Sequence, residues 1–181
     1  MVCEFCGEPS PSGSYDRVAG LDVCTPCRST GVLEHLRSRG YAATARHWVT
    51  RDPETNNRTV HVQTDITLPV DPGITLRCVK ERWYHHISRL FRDELQVGDP
   101  IFDDHVYVAK GNSAAVADLL ANEGIQSAIL LVGAGGSFVL DGPTLTAHSK
   151  SGVGLSADEI RWQIQEVAAA AIHIVRWHAG R

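Results

Sequence analysis

Four cysteines near the N-terminus are the residues most clearly placed to do chemistry. Cys3 and Cys6 form one C-x-x-C pair, Cys24 and Cys27 form a second, and 17 residues separate the two pairs. Zinc prefers four soft ligands in a tetrahedron, and each C-x-x-C turn can present two thiolates to one ion. Four thiolates leave no position open for a substrate water. The spacing therefore predicts one structural Zn²⁺ ion bound by all four cysteines.

The sequence around these cysteines indicates a small unit over residues 1–40. Prolines and glycines between the pairs favour turns. The segment RSTGVLEHLRSRG after the second pair is expected to form a short helix that ends at Gly40. Because so short a chain cannot bury enough apolar surface to fold alone, the metal would replace a core. Two knuckles and a helix predict a treble-clef-like zinc finger or a compact zinc ribbon.

The segment CEFCGEPSPSGSYDRVAGLDVCTPC resembles the zinc finger of DksA/TraR-type bacterial transcription factors. The shared features are the 17-residue gap and the C-x-x-C-G-E-P opening, and the resemblance covers roughly residues 3–34. Those factors carry a long coiled coil with acidic tip residues before the finger. Here the finger lies at residue 3, so the resemblance implies zinc binding and carries over no action on RNA polymerase.

The acidic turn (residues 99–105) holds the densest group of titratable side chains, Asp99, Asp103, Asp104 and His105. Such a group can bind a divalent metal that activates water, so a metal-dependent hydrolase centred on these four residues is one alternative function. Asp99-Pro100 is also typical of a turn, and Asp103 can accept hydrogen bonds from nearby backbone amides. No second Glu/His cluster completes a hydrolase site. We therefore interpret the acidic turn as architectural.

The same segment carries a second resemblance. G-D-P-I-F-D, then a strand, then AAVADLL is similar to an uncharacterised family of bacterial proteins. Members show a G-D-P-x-F-D turn after a helix, followed by a V-x-x-L-L helix and a small hairpin. The similarity covers residues 41–150 and implies the fold, because the family has no established activity.

Hydrophobic periodicity predicts an α+β domain with antiparallel strands over residues 41–181. TVHVQTDI alternates apolar and polar residues, as a half-buried strand does, and YAATARHWVT can pair with it across the turn RDPETNNR. With ITLRCV these segments predict a strand meander over residues 41–81, in which Cys78 is a buried apolar filler. RWYHHISRLFRDEL has the spacing of an amphipathic helix that packs on the meander.

The second half of this domain is expected to contain a strand, helices and a hairpin. A strand should run through Val106 and Val108, and a helix capped by Ser113 should end just before Gly124. Residues 125–132 are ambiguous between helix and strand, and the following glycines favour helix. SFVL and TLTA predict a hairpin. Ser156 and Glu159 form a capping box that begins a long C-terminal helix, with Trp162 outside the core stripe Ile160, Ile164, Val167, Ala171 and Ile174.

Composition places the chain among ordinary globular proteins. Its 181 residues are 43 % hydrophobic and 21 % charged, with a net charge of −4. No apolar run reaches the roughly 18 residues that a membrane span requires, and no signal peptide is visible. Cytoplasmic localisation is therefore expected, with no membrane partner.

Charge distribution bears on the choice of partner. Residues 1–40 hold four arginines against five acids, too few positive charges to displace counterions from nucleic acid. We therefore predict a non-enzymatic, zinc-containing protein-interaction module, adaptor or regulatory, of bacterial cytoplasm. The alternatives are a nucleic-acid-binding transcriptional regulator that uses the zinc finger, and the hydrolase centred on the acidic turn.

Overall fold

The computed structural model describes residues 3, 15–18, 21–24, 31–80, 95, 97–110, 114–133, 136–152 and 154–181. Within these residues the strands are β1 (Tyr15–Val18), β2 (Leu21–Cys24), β3 (Ala42–Arg51), β4 (Arg58–Thr67), β5 (Thr75–Lys80), β6 (Val106–Lys110), β7 (Ser137–Asp141) and β8 (Thr144–Ser151). The helices are α1 (Val32–Ser38), α2 (Pro100–His105), α3 (Ala114–Leu120), α4 (Glu123–Gly133) and α5 (Ala157–Ala179). The mixture of helices and antiparallel strands confirms the predicted α+β class.

Six strands form one antiparallel sheet in the order β3-β4-β8-β7-β5-β6. The hairpin of β3 and β4 and the hairpin of β7 and β8 are both confirmed. The predicted meander over residues 41–81 is wrong in one respect, because β8 and β7 lie between β4 and β5. The connection from β4 to β5 crosses the end of that inserted hairpin, where Leu68 N–H donates to the Pro143 carbonyl and Gly142 N–H donates to the Ile74 carbonyl.

One face of this sheet carries the hydrophobic core beneath α4 and α5. Residues 125–132 are helical within α4, as favoured from the sequence, and Ile125, Ala128 and Ile129 are buried. In α5 every residue from 165 to 172 is buried, because a run of alanines lets the helix lie close to both the sheet and α4. Trp162 lies outside this buried run and is 49 % exposed.

Two local predictions need correction. Pro100–His105 form the short helix α2 before the predicted strand β6, because Asp99 caps its first turn by accepting hydrogen bonds from two backbone amides. Gly124 does not follow the preceding helix but lies in the first turn of α4. The reason is Asn122, whose side-chain oxygen accepts from the amides of Gly124 and Ile125 and so starts a second helix two residues after α3 ends.

The N-terminal segment contributes to the same core. The predicted helix before Gly40 is present as α1, and Gly40 adopts a positive φ of 85° just beyond it. Val32 and Leu36 of α1 are buried in one cluster with the apolar residues of the sheet and α5. The boundary at residue 40 stays a prediction. The predicted helix over residues 82–95 lies outside the described residues except for Leu95, which packs against the core.

Within the described ranges no single helix is long and apolar enough to cross a membrane. The one helix pair that reaches that length together, Ala114–Leu120 with Glu123–Val132, is bent by 86°.

Candidate binding surface on strands β3, β4 and β8

The two faces of the sheet differ in burial along β4. Val62, Thr64 and Ile66 point into the core and are at most 3 % exposed. The alternating residues His61, Gln63 and Asp65 are only half-buried and lie on the opposite face. Because successive strand residues point to opposite sides, the neighbouring residues of β3 and β8 extend this open face in register.

Three aromatic rings form a compact group on the open face, one from each of β3, β4 and β8. The ring of Trp48 lies parallel to His61 with centroids 4.9 Å apart, and parallel to His148 with centroids 5.6 Å apart. The two histidine rings are also parallel, with centroids 5.4 Å apart. These separations lie in the range of about 4.5–7 Å that offset-stacked rings adopt, so the three rings are stacked with an offset and not directly face to face.

A chain of hydrogen bonds runs through these histidines. Nδ1 of His61 lies 3.2 Å from Nε2 of His148, and Nε2 of His61 lies 2.8 Å from the hydroxyl oxygen of Thr50. A neutral imidazole offers one donor and one acceptor, whereas an imidazolium offers two donors. If both rings were charged, an N–H donor of His61 would face an N–H donor of His148. The hydrogen bond between the two rings therefore forms only while at least one ring is neutral.

Positive charge surrounds the histidine pair. Burial lowers the pKa of His148, and the nearby charges of His61, Lys150 and Arg46 lower it further. The Arg46 guanidinium lies 5.3 Å from the centroid of the Trp48 ring, within cation–π range. The ring group and its flanking cations define a surface that is aromatic and basic, on a chain whose net charge is −4. We call Arg46, Trp48, His61, His148 and Lys150 the aromatic-basic patch.

A second row of polar contacts holds the patch in place. Arg46 donates to the Gln63 side-chain oxygen at 3.0 Å, and the Gln63 amide donates to both carboxylate oxygens of Asp65. The Thr146 hydroxyl donates to the same carboxylate at 2.9 Å. The one acid of this region is thus engaged by its neighbours on β4 and β8, so it does not neutralise the patch by direct pairing with Arg46.

The outer edge of β3 lies beside the patch. Asp52 N–H donates to the Asn57 carbonyl, so residue 52 forms a hydrogen-bonded pair with residue 57 at the turn. Hydrogen-bonded and non-hydrogen-bonded pairs alternate along an antiparallel ladder, and the register has no shift from Ala42 to Arg51. The even-numbered residues of β3 therefore form the hydrogen-bonded pairs with β4. The odd-numbered amides and carbonyls point away from the sheet. The Arg37 side chain accordingly donates to the Ala43 carbonyl from outside.

Beyond Ala43 this edge is open to solvent. His47 is exposed and Val49 is 44 % exposed. Among the described residues, β3 pairs with β4 alone. Three successive odd positions, Ala45, His47 and Val49, therefore present backbone donors and acceptors that another strand can use.

The hydrogen bonds from Thr50 to His61 and from His61 to His148 also resemble a catalytic arrangement. In it Thr50 would be the hydroxyl nucleophile, His61 the general base and His148 the group that orients the base. Acyl transfer further requires donors preorganised around the developing oxyanion in a site that excludes water. Thr50 is exposed on a flat face, and the even-numbered amides of β3 are directed into the ladder with β4. The geometry favours binding at this surface over catalysis.

The acidic turn has the architectural geometry predicted for it. Asp99 caps α2, and the Asp103 carboxylate accepts from the backbone amides of Val97 and Gly98, each at 3.0 Å. Nδ1 of His105 contacts the Ile101 carbonyl oxygen at 2.8 Å. Asp104 is exposed. Three of the four side chains are therefore directed to local backbone groups.

The four predicted zinc ligands are only partly within the described residues. Cys3 is fully buried in the core cluster, and Cys24 is the last residue of β2, where its backbone pairs with Tyr15. Cys6 and Cys27 lie outside the described residues. In the part of the chain that is described, no group of three or more His, Cys, Asp and Glu side chains is placed to hold a metal ion.

Sequence reasoning did not identify the aromatic-basic patch. A signal was present for part of it, because continuing the predicted hairpin register backwards from the turn places Trp48 opposite His61. The third ring could not be found in this way, since His148 is 87 positions from His61 in the chain and reaches it only through the pairing of β4 with β8.

In comparisons with known proteins, no protein-family model matches the chain, and no curated protein or solved structure is significantly similar to it.

Proposed function

We propose that this protein is a non-enzymatic, zinc-containing protein-interaction module of bacterial cytoplasm, adaptor or regulatory, which binds an extended acidic segment of another protein along β3. The observation that carries the proposal is the open outer edge of β3 beside the aromatic-basic patch. The edge supplies main-chain hydrogen bonds, and the patch supplies the charge and the aromatic surface that select a partner.

The edge of β3 is suited to strand addition. An added strand pairs with exposed backbone N–H and C=O groups, while alternate side chains of the strand provide specificity. Many proteins protect such edges with proline, bulges or short strands. β3 is ten residues long, contains no proline and pairs with β4 without a bulge, so its outer side is straight and regular.

Charge indicates an acidic partner. β3 itself carries Arg46, His47 and Arg51 and no acidic residue, and Lys150 lies on the same open face as Arg46. A second copy of β3 would place two strands that carry only positive charges side by side. An extended segment with Asp or Glu at alternate positions would instead meet Arg46 with opposite charge, and Lys150, which lies two strands away from β3, adds to the positive potential of the same face.

The zinc ion belongs to the proposal as a scaffold. The two C-x-x-C pairs support one site of four thiolates, which has no open coordination position. The resemblance of residues 3–34 to DksA/TraR-type fingers supports the same ligands, Cys3, Cys6, Cys24 and Cys27. In this proposal the metal orders the N-terminal segment, and the binding surface lies on the sheet.

The test is titration with a labelled peptide of alternating valine and glutamate, followed by fluorescence anisotropy and amide hydrogen exchange. We expect saturable binding that slows exchange at Ala45, His47 and Val49. Val49→Pro removes one outward N–H and should abolish binding, whereas Val49→Thr keeps that N–H and a β-branched side chain and should bind like the parent.

A peptide of alternating valine and lysine and a single-stranded RNA serve as controls for the partner class. Binding of the lysine peptide with equal affinity, or full binding by Val49→Pro, would contradict strand addition. Tighter binding of the RNA, lost on Arg46→Gln, would assign the patch to nucleic acid instead.

A further inference from the structure

A groove on the helical layer is separate from the surface on β3, β4 and β8. It has a volume of about 470 Å³ and lies between the residue that caps α2, the helix α4 and the first turns of α5. Leu130 and Leu131 form part of its wall, and Trp162 of α5 contributes an indole that is 49 % exposed. Binding sites for ligands typically have volumes of about 300–1,000 Å³ with apolar walls and a few polar groups. We call this the Trp162 groove.

Among the described residues, the charged side chains that line the groove all have one sign. Among the described residues that line it, Asp99 and Glu123 are acidic and none is basic. Ser127, which also lines it, donates to the buried carboxyl of Glu166 at 3.3 Å. Asp158, one turn before Trp162 on α5, forms an ion pair with Arg161 at 3.1 Å, so Asp99 and Glu123 set the sign of the charge in the groove. A negative potential is therefore expected on the side of the groove that these two acids line.

A buried polar side chain lines the groove. Gln126 lines the groove, is only 7 % exposed, and donates through Nε2 to the Leu120 carbonyl at 2.7 Å. That hydrogen bond fixes the orientation of the side-chain amide, so Oε1 is the atom of this amide that can accept a further hydrogen bond. No described residue donates to this Oε1. Since buried acceptors in folded proteins almost always have a donor, the arrangement calls for one from a ligand or from water.

We propose that the Trp162 groove binds an arginine side chain of a partner peptide. A planar guanidinium can stack on the indole of Trp162 while its N–H groups reach Glu123, Asp99 and the acceptor of Gln126. Asp99 uses Oδ1 for both capping hydrogen bonds, so Oδ2 is the oxygen placed to accept from the ligand.

Apolar contacts complete the recognition. The aliphatic stem of arginine is long enough to lie along Leu130 and Leu131 while the charged end reaches the acids. The volume of the groove exceeds that of one side chain, so an apolar residue beside the arginine in the peptide can share the wall. A lysine would present a compact charge without the planar fork and is expected to bind more weakly.

The test uses a short peptide with one arginine between two leucines and an identical peptide in which citrulline, neutral and nearly the same shape, replaces arginine. Binding is followed by NMR at the indole N–H of Trp162, which Trp162→Phe assigns. We expect saturable shifts of that signal and of the amides around Gln126 with the arginine peptide. Citrulline should weaken binding by about tenfold or more, since it removes the charge that both the indole and the carboxylates attract.

Two exposed acids give a matched pair of variants. Glu123→Gln should weaken the arginine peptide severalfold, whereas Glu54→Gln, which removes an equal charge on the turn between β3 and β4, should leave the affinity unchanged. Thermal melting checks that both variants fold. Equal binding of the citrulline peptide, shifts confined to other signals, or agmatine binding as tightly as the peptide would overturn the proposal.

Discussion

Proline substitutions on β3 should distinguish its outer edge from its paired edge. Val49 and Thr44 are both exposed and β-branched, so the two substitutions remove similar side chains. The register assigns the Thr44 amide to the ladder, opposite Asp65, and directs the Val49 amide outwards. Proline lacks the N–H, so Thr44→Pro breaks a ladder hydrogen bond whereas Val49→Pro breaks none within the sheet.

The expected costs follow from that difference. Strand propensities differ by about 1 kcal/mol between residue types. Because Val49→Pro breaks no hydrogen bond in the sheet, the loss of strand propensity is the main contribution to its cost in free energy of unfolding. Thr44→Pro also leaves a carbonyl of β4 without its donor, which costs about 1–3 kcal/mol. We therefore expect the free energy of unfolding to fall by about 1 kcal/mol for Val49→Pro and by about 2–4 kcal/mol for Thr44→Pro.

Urea unfolding followed by circular dichroism measures both values. Amide hydrogen exchange of the parent adds an independent check, because the amides of Thr44, Arg46 and Trp48 should exchange slowly and those of Ala45, His47 and Val49 quickly. Equal destabilisation by the two prolines, or slow exchange at the odd-numbered positions in the isolated protein, would refute the assignment of the outer edge. The proposed strand addition would then fail as well.

Three further predictions concern the acidic turn, the histidine pair and the cysteines. Asp103→Ala should lower the free energy of unfolding by about 1–2 kcal/mol, independently of Mg²⁺ or Mn²⁺, because it removes the acceptor of two backbone amides; Asp104→Ala is the near-neutral control, and a metal-dependent melting temperature lost in Asp103→Ala would revive the hydrolase. The pKa of His148, followed by NMR of its ring protons, should lie below the ordinary value of about 6.5 and rise in Lys150→Gln. The neutral ring then stabilises the fold at higher pH, and this stabilisation is lost as the pH falls through the lowered pKa. Metal analysis of protein purified without added zinc should find one zinc per chain, absent in Cys24→Ser; substoichiometric zinc with a disulfide in the first pair would contradict this.

The sequence predicted best those features that are set by local interactions. The capping box of Ser156 and Glu159 is present, with both reciprocal hydrogen bonds made. Asp52 begins the turn after β3 by accepting from the amides of Glu54 and Thr55, and these hydrogen bonds lower the pKa of its carboxyl. Each of these contacts lies within a few residues, so the residue types alone determine it. Cys78 is likewise buried as predicted, and burial raises the pKa of its thiol to about 12.

The order of the strands could not be predicted in the same way. The alternation in β4 specifies one buried face, but it does not specify which strand pairs with each side of β4. The hairpin of β7 and β8 takes the place beside β4 that a meander would give to β5. Gly136 shows how closely this pairing fits, because a Cβ atom there would overlap the backbone of His148. This close contact between Gly136 and the backbone of β8 depends on tertiary structure. In the sequence, the glycine itself is the one sign of it.

The charges of this protein indicate what it binds only when the fold shows which of them share a surface. A net charge of −4, with four arginines against five acids in residues 1–40, argues against strong polyanion binding by the predicted zinc finger, and that argument does not apply to a face of the sheet. Folding collects Arg46 and Lys150 on the open face of the sheet, while Asp99 and Glu123 meet at the Trp162 groove on the helical layer. Two surfaces of opposite sign can select partners of opposite charge at once. The adaptor function proposed above requires two separate binding surfaces. Because the two sets of charges cancel in the composition, these surfaces become visible only when distant strands and helices are brought together in the fold.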